Sequence, residues 1–238
     1  MTTLFHGILR CPPSVPVRTG PVRTRCPHPP RPYPPGEGTA LAAETPYHHG
    51  NLRTALLERA ERVLARSGAE GLSLRALARD LEVSHAAPAR HFRDRQALLD
   101  ALAVSGFTRL NAALRTAAGA AGPLPGRLTT VGRAYLDFAV GHPALLQLMF
   151  TVKHAEGSSA ELRDLGHECL AIATDLVTEA QRAGAVRPGD AARLAQVAFS
   201  TLHGLATLSL GGLLDDTPLD EAVDLALDVL VTGLAPGR

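Results

Sequence analysis

The stretch GAEGLSLRALARDLEVSHAAPARHFRDRQALL, residues 68–99, contains two short helical segments in close succession. Ser73 can cap the first, which has an apolar inner face as far as residue 81, and Ser84 can cap the second, over residues 84–91. Two short helices that are joined by a tight turn and packed against a longer helix form a helix-turn-helix unit. The sequence therefore predicts such a unit here, with a longer helix on each side.

The segments around this unit also show helical periodicity. Before it, apolar residues recur at three- and four-residue spacing over about 51–66, and Gly68 supplies a left-handed stop. After it, Asp94 can cap a long fourth helix, and Asp190 can cap a later helix over 191–211. The remaining helices are separated by breaks at 122–126, His142-Pro143, Gly184 and Gly211-Gly212, and the last helix runs over about 218–234.

These patterns predict an all-α, nine-helix, two-domain architecture. Aromatic residues make up 4% of the chain and Trp is absent, so the core must be built from aliphatic side chains at helical spacing, which favours helices over strands. We expect a three-helix helix-turn-helix domain over 46–95 and a helical ligand-binding and dimerisation domain over 96–238.

Residues 1–45 are rich in Pro and Arg and show no apolar period. Such a segment cannot bury enough surface to offset its ordering entropy, so we expect a disordered extension. Its Arg residues can add nonspecific phosphate contacts. The alternative is a dispensable extension, or a start codon that was assigned too early.

The charge is unevenly distributed along the chain. Residues 47–99 carry nine Arg against six acidic residues, whereas residues 100–238 carry ten basic against fifteen acidic residues. A surface that binds a polyanion is therefore expected in the first hundred residues. Cys11, Cys26 and Cys169 have neither metal-ligand nor disulfide spacing, and no signal peptide or membrane-length apolar run is evident. We expect a cytoplasmic protein with reduced thiols, no metal site and no cofactor.

The second short segment has the side chains that a recognition helix needs. Ser84, His85, Ala86 and Ala87 offer a hydroxyl, an imidazole and methyl groups, which suit phosphate, base-edge and thymine-methyl contacts. Charged contacts can come from the surrounding basic residues Arg75, Arg79, Arg90, His91, Arg93 and Arg95, and the helix N-termini at Ser73 and Ser84 favour phosphate. Pro88 at the fourth helical position predicts a local distortion, because proline lacks the N–H that would bond the cap carbonyl.

These residues resemble the DNA-binding domain of the tetracycline-repressor (TetR) family. The matching motifs are Gly68, Leu72-Ser73-Leu74-Arg75-Ala76-Leu77-Ala78, Val83-Ser84, Arg90-His91-Phe92-Arg93-Asp94-Arg95 and Leu98-Leu99. Tyr47 to Leu52 and Ser84 to Pro88 are similar to one subgroup, whose C-terminal domain bears a Trp-x-x-x-His-Gly motif. In this chain Phe199 to Gly204 stands in that place, and the resemblance extends weakly over almost all of 47–234.

The resemblance implies a homodimer whose last two helices pair across a two-fold axis as a four-helix bundle. It implies phosphate contacts by Ser73, His91 and Arg95, and base contacts by His85, Ala86 and Ala87. The residues expected at the dimer interface are Phe199, Leu202, His203, Leu219, Val223 and Leu230. Three positions depart from the family pattern: Glu82 replaces a turn glycine, Ala89 a phosphate-contacting tyrosine, and Arg95 a lysine. For His203, a buried hydrogen bond at a close helix contact is an alternative role.

The C-terminal domain is expected to enclose a mainly apolar effector with one or two polar groups. The candidate pocket residues are Phe107, Leu110, Tyr135, Phe138, His142, Met149, Phe150 and His167. The predicted function is a DNA-binding repressor that reads a near-palindrome, with recognition helices about 34–36 Å apart, and that an effector releases. The alternative is an all-α enzyme or scaffold with a degenerate helix-turn-helix, although the sequence shows no nucleophile-base pair or paired carboxylates.

Overall fold

A computed structural model describes residues 52–214 and 216–236 of this chain, and these ranges contain eight α-helices and no strand. The helices are α1 (Leu52–Ser67), α2 (Leu74–Asp80), α3 (Arg95–Ala118), α4 (Leu124–Gly141), α5 (Pro143–Lys153), α6 (Ala160–Arg182), α7 (Ala191–Leu210) and α8 (Leu219–Leu234), with 3₁₀ turns at Ala69–Gly71 and Pro88–Arg90. The all-α prediction is confirmed. The predicted disordered extension over 1–45 lies outside the described residues.

The expected ninth helix, over 84–91, is absent from the described residues. The Ser84 carbonyl accepts a hydrogen bond from the Ala87 N–H at 2.9 Å, and the N–H groups of His91 and Phe92 both donate to the Pro88 carbonyl at 2.9 Å. Because Pro88 has no N–H to continue the α-helical pattern from Ser84, the segment folds as consecutive turns that end in the 3₁₀ turn. The local distortion expected at Pro88 therefore extends over the whole segment 84–91, which does not form an α-helix.

The helix-turn-helix unit has a small aliphatic core. The buried face of α1, with Leu56 and Leu64, packs against residues that follow it, including Leu77 and Phe92. The predicted cap at Asp94 is present, because its carboxylate accepts a hydrogen bond from the Ala97 N–H at 2.8 Å. The first helix therefore supports the two short segments as predicted.

Helix α3 connects this unit to the rest of the molecule. It contacts α1, α4, α5 and α6, and Phe107 and Leu110 are fully buried in the main core. By length and composition α3 alone among the described helices is apolar enough to cross a membrane, but half of its most apolar window is buried inside the molecule. Its apolar character is accounted for by this central position in the core.

The C-terminal helices follow the predicted breaks. His142-Pro143 separates α4 from α5, Gly184 follows α6 with φ 69°, and the Asp190 carboxylate caps α7 by accepting from the Ala192 N–H at 3.0 Å. Helices α7 and α8 pack on α4 and on each other, so the outer side of this pair forms one face of the domain.

Candidate nucleic-acid interface and effector cavity

The turn between the two short segments is closed by backbone hydrogen bonds. The Val83 N–H donates to the Ala78 carbonyl at 3.0 Å and the Glu82 N–H donates to the Arg79 carbonyl at 3.1 Å. Glu82 has φ 54°, the sole positive φ of a non-glycine residue in the part of the chain that the structure describes. The left-handed conformation that the turn requires explains why glycine suits this position, and a side chain here is strained.

One side of the segment 84–91 is anchored in the core. Pro88 is almost fully buried and Phe92 is 2% exposed. The Arg53 guanidinium of α1 lies 5.5 Å from the centroid of the Phe92 ring, which adds a cation–π contact from outside. The segment therefore has a rigid base although it lacks α-helical hydrogen bonds.

The opposite side of this segment is open to solvent. Of the nine residues predicted to contact DNA, all but the half-buried Ala87 are exposed, namely Ser73, Arg75, Ser84, His85, Ala86, Arg90, His91 and Arg95. Among the described residues, neither Arg75 nor Arg90 has a carboxylate within 4.0 Å or a side-chain hydrogen bond. The Ser73 hydroxyl likewise makes no capping hydrogen bond. These groups are free to bind phosphate oxygens.

Arg95 already has partners within the chain. Its guanidinium donates to the Leu72 carbonyl at 3.2 Å and to the Ala69 carbonyl at 2.6 Å, just before α2. The resemblance implied a phosphate contact for this exposed residue, and that contact stays a prediction. Within the chain its hydrogen bonds hold the start of α2 against the start of α3.

Two ion pairs that the sequence analysis missed attach α1 to its surroundings. Arg59 donates to the Asp80 carboxylate at the end of α2, at 2.6 and 2.9 Å, and Arg109 of α3 donates to the Glu61 carboxylate at 2.8 Å. These pairs join residues 21 and 48 positions apart. No local spacing rule could have found them.

His142 was predicted to line a pocket, but it lines neither of the two cavities of the C-terminal domain that are described below. Its Nδ1 lies 3.4 Å from the Glu61 carboxylate, and its ring lies 5.0 Å from that of Phe138. The Arg109 guanidinium is 5.9 Å from the centroid of the same Phe138 ring. Glu61 of the helix-turn-helix unit therefore contacts two basic groups of the C-terminal domain, at the junction of α4 and α5.

Two adjoining cavities occupy the C-terminal domain. The first, of about 80 Å³, is almost wholly apolar and lies between α4, α6, α7 and α8, beside Tyr135. The second, of about 520 Å³, runs along α6 and is lined by Phe150, Lys153 and His167 among others. Both cavities share the walls formed by Cys169, Leu170 and Phe199.

Three of the predicted pocket residues line these cavities, namely Tyr135, Phe150 and His167. Phe107, Leu110 and Met149 instead fill the core and are 0% exposed, and Phe138 packs beside Arg109 and His142. None of these lines either cavity. Periodicity identifies an inward face, but it does not distinguish a solid core from a cavity wall.

An aromatic cluster lies beside the two cavities. Tyr135, Phe150, Phe199 and His203 have ring centroids 5.0–6.4 Å apart, and the Tyr135 hydroxyl is 2.6 Å from His203 Nδ1. Burial raises the pKa of the Tyr135 hydroxyl and lowers the pKa of His203. The tyrosine therefore keeps its proton, and in the tautomer whose Nδ1 is unprotonated its hydroxyl donates a hydrogen bond to His203. The hydrogen bond expected of His203 is thus present and part-buried, but no atom lies within 4 Å of a Cβ built on Gly204, so the close helix contact expected beside it is not observed.

The residues predicted at the dimer interface are buried or half-buried within this chain, and their role in a dimer stays a prediction. Leu202 and Val223 are buried within the chain, and Phe199 and His203 belong to the aromatic cluster; Leu219 and Leu230 are half-buried against the core. The large apolar side chains that remain exposed are Val197, Leu208, Leu210, Leu213, Leu225 and Val229, at 45–64%. All six belong to α7, α8 or the loop between them.

The described ranges 52–214 and 216–236 offer few candidate groups for metal binding or thiol chemistry. No group of three or more His, Cys, Asp or Glu side chains that could hold a metal ion occurs there. Cys169 is a buried free thiol, and burial raises its pKa to about 11. The predictions for Cys11 and Cys26 fall outside these ranges.

A small helix-turn-helix unit is thus joined by one long helix to a larger helical domain that carries the cavities, an arrangement typical of DNA-binding regulators. Two family models match the chain: "Bacterial regulatory proteins, tetR family" over residues 56–102, and "Tetracyclin repressor-like, C-terminal domain" over residues 128–233. The chain belongs to the TetR family of bacterial regulatory proteins.

Several solved structures share the fold of this chain. A protein with unknown function from Rhodococcus sp. RHA1 is 53% identical, with a TM-score of 0.75, and the match covers 81% of this chain and 100% of that one. The TetR family transcriptional regulator PfmR from Thermus thermophilus has a TM-score of 0.62 at 19% identity, over 77% of this chain and 99% of that one. A tetR family regulatory protein from Rhodococcus RHA1 has a TM-score of 0.64 at 17% identity, over 78% and 98%. No curated protein sequence matches the chain.

Proposed function

We propose that this chain is a repressor that binds a palindromic operator as a homodimer and is released from it by a small-molecule effector. The observation that carries the proposal is the exposed segment 84–91, which is anchored by the buried Pro88. Arg90 in this segment and Arg75 in α2 have no side-chain partners among the described residues. Side chains at the tip can contact base edges while the guanidinium groups neutralise phosphates. Residues 46–95 would form the DNA-binding domain and 96–238 the effector and dimerisation domain.

The dimer would form through the exposed apolar side of α7 and α8. Six large apolar side chains on this pair and the loop between its helices are 45–64% exposed, and an apolar patch of this kind marks an interaction site. Pairing two copies gives a four-helix bundle around a two-fold axis, which is isologous and closed. Two recognition segments about 34–36 Å apart would then read successive major grooves.

Release would depend on the contacts between α1 and the C-terminal domain. The cavities lie in the domain that contacts α1 through Arg109 and His142, both within reach of Glu61. An effector that binds one arrangement of the two domains better than the other shifts the population of dimers away from the DNA-competent spacing. The regulator would act in the cytoplasm and without a cofactor. Its subgroup, predicted from Phe199 to Gly204, also remains a proposal.

A gel shift with the chain's own upstream DNA tests this proposal. The expected result is a retarded complex whose affinity falls steeply as the salt concentration rises, because several phosphates are neutralised in the complex. Absence of a retarded band on every upstream fragment, at low salt and with a folded protein, contradicts the proposal. That outcome would favour the alternative of an all-α enzyme or scaffold that uses the C-terminal cavity.

A further inference from the structure

Lys153 is the sole lysine in the chain, and its side chain lies along the wall of the 520 Å³ cavity. It leaves the end of α5 and crosses α6 at Gly166. A Cβ built on Gly166 would lie 2.5 Å from Cδ, 2.6 Å from Cε and 2.9 Å from Nζ of Lys153. The absence of a side chain at Gly166 therefore lets the lysine stem reach the cavity.

The Lys153 ammonium has no counter-ion there. Among the residues that the structure describes, no carboxylate lies within 4.0 Å of Nζ, and no side-chain hydrogen bond involves it. The group is half-buried, and burial lowers its pKa. A half-buried cation without a partner is costly unless an anion binds beside it.

Polar side chains line both ends of the 520 Å³ cavity, but one end carries a basic group and the other an acidic group. Lys153, His154 and His167 line one end, whereas Asp175 and Gln196 line the other. Gly166 and Asp175 are nine residues apart on α6, which corresponds to about 13 Å along the helix. An anion is therefore attracted to the lysine end and repelled from the aspartate end.

The middle of this cavity is walled by apolar side chains. Cys169, Leu170 and Phe199 line it, and the same three residues also line the first cavity, which is almost entirely apolar. A chain of methylene groups that starts at Lys153 can lie along these walls, and its burial there is favourable. The arrangement suits a ligand with one anionic end and one apolar end.

We propose that the effector is an amphipathic monocarboxylate, whose carboxylate pairs with Lys153 and whose apolar chain lies along Cys169, Leu170 and Phe199. This inference rests on the proposed function, since it names the chemical class of that effector. The volume of about 520 Å³ lies within the usual range of small-molecule sites.

The test uses decanoate as the probe and decanol as its uncharged counterpart, titrated calorimetrically into the full-length chain below their aggregation limits. Decanoate should bind at least about tenfold more tightly than decanol, because a charge-assisted hydrogen bond to a half-buried ammonium is formed only with the carboxylate. Equal binding of the two probes, or no binding of decanoate, overturns the inference.

Two variants locate the carboxylate. Lys153→Met should abolish the preference for decanoate, whereas the control Arg182→Met, which removes an exposed cation from α6 outside both cavities, should leave it unchanged. Gly166→Ala keeps the lysine but displaces its stem, so it should weaken decanoate binding while the helix stays folded, as circular dichroism would verify. Either cavity variant binding like the wild type contradicts the placement.

Lys153 can give a single NMR reporter signal because it is the sole lysine in the chain. Reductive ¹³C-methylation gives one lysine resonance besides that of the N-terminal amine, and decanoate should shift the lysine resonance while the other stays constant. All these measurements are made without DNA. A failed gel shift therefore overturns the proposed function alone, and absent decanoate binding overturns the effector class alone.

Discussion

Glu82 holds a conformation that its side chain disfavours. With φ at 54°, it lies in the left-handed region, where a Cβ costs about 1–2 kcal/mol. Glu82→Gly should therefore raise the free energy of unfolding by about 0.5–1 kcal/mol, since part of the gain is offset by the entropy of glycine in the unfolded chain. Chemical denaturation monitored by circular dichroism measures this change.

The control is Glu82→Ala, which removes the same carboxylate but keeps a Cβ. It should not stabilise the protein, because the backbone strain remains. If both variants stabilise it equally, the carboxylate and not the backbone is responsible. Strain from φ would then be insignificant at this turn.

Arg90 is the most direct candidate for a phosphate or base contact. It is exposed and free of side-chain partners among the described residues. Arg90→Ala should weaken operator binding by about 1–3 kcal/mol and, if the contact is to phosphate, reduce the salt dependence, without changing the oligomeric state. Gel shifts over a salt series, with sedimentation as a check, measure both effects.

Arg182→Ala serves as the matched control, because it removes an exposed arginine from α6, far along the chain from the helix-turn-helix unit. It should leave operator affinity unchanged. Equal affinity of Arg90→Ala and the wild type would exclude Arg90 from the interface.

At the scale of elements, the contact between α4 and α7 should be sensitive to acid. His203 accepts a hydrogen bond from Tyr135 only when Nδ1 is unprotonated, and burial lowers the pKa of His203 in the folded state. Its neutral form therefore contributes stability that is fully present above pH 6.5, the ordinary histidine value. This contribution should be lost as the pH falls from there toward the lower pKa of the folded state.

His203→Gln tests this expectation, because the glutamine carbonyl can still accept from the Tyr135 hydroxyl but does not titrate. Denaturation curves between pH 7.5 and 5 should show a smaller loss of stability for the variant than for the wild type. Identical losses would mean that His203 is protonated equally easily in the folded and unfolded chains.

Apolar periodicity and capping residues predict many of the helix boundaries, but not all of them. The starts and ends of α1, α3, α6 and α7 follow from apolar spacing, from the Asp94 and Asp190 caps and from Gly184. Periodicity wrongly predicts a helix over 84–91, because the missing N–H at Pro88 outweighs a favourable cap and apolar spacing. A proline inside so short a segment leaves no second turn to restore the helix.

For the whole molecule, the exposed side of α7 and α8 is the surface to test. Leu225 is 63% exposed and Val229, one helical turn later, is 60% exposed. Leu225→Glu should convert a dimer into a monomer of unchanged helicity and should abolish operator binding at the same protein concentration, since a carboxylate cannot be buried unpaired at the interface. Light scattering after size exclusion gives the mass.

Gln147→Glu on α5 adds the same charge at an exposed site outside α7 and α8, and it should remain dimeric. A Leu225→Glu protein that is still dimeric would place the interface elsewhere.

The candidate DNA-binding residues could be named in advance because they lie within one short stretch, where local spacing decides which side chains share an exposed face. The exposed apolar side of α7 and α8 and the residues that line the cavities could not. Helices α7 and α8 are apolar around much of their circumference, so only their packing on α4 shows that Leu202 and Val223 point inward and Leu225 points outward.

Local order along this chain follows from hydrogen-bond capping, proline and glycine geometry and apolar period, which act over a few residues and can be derived from the printed sequence. The cavity beside Lys153, the Glu61 contacts with Arg109 and His142, and the free face of α7 and α8 each join residues that are distant in sequence. They depend on how whole helices pack, and that packing is a property of the folded chain that no local pattern encodes.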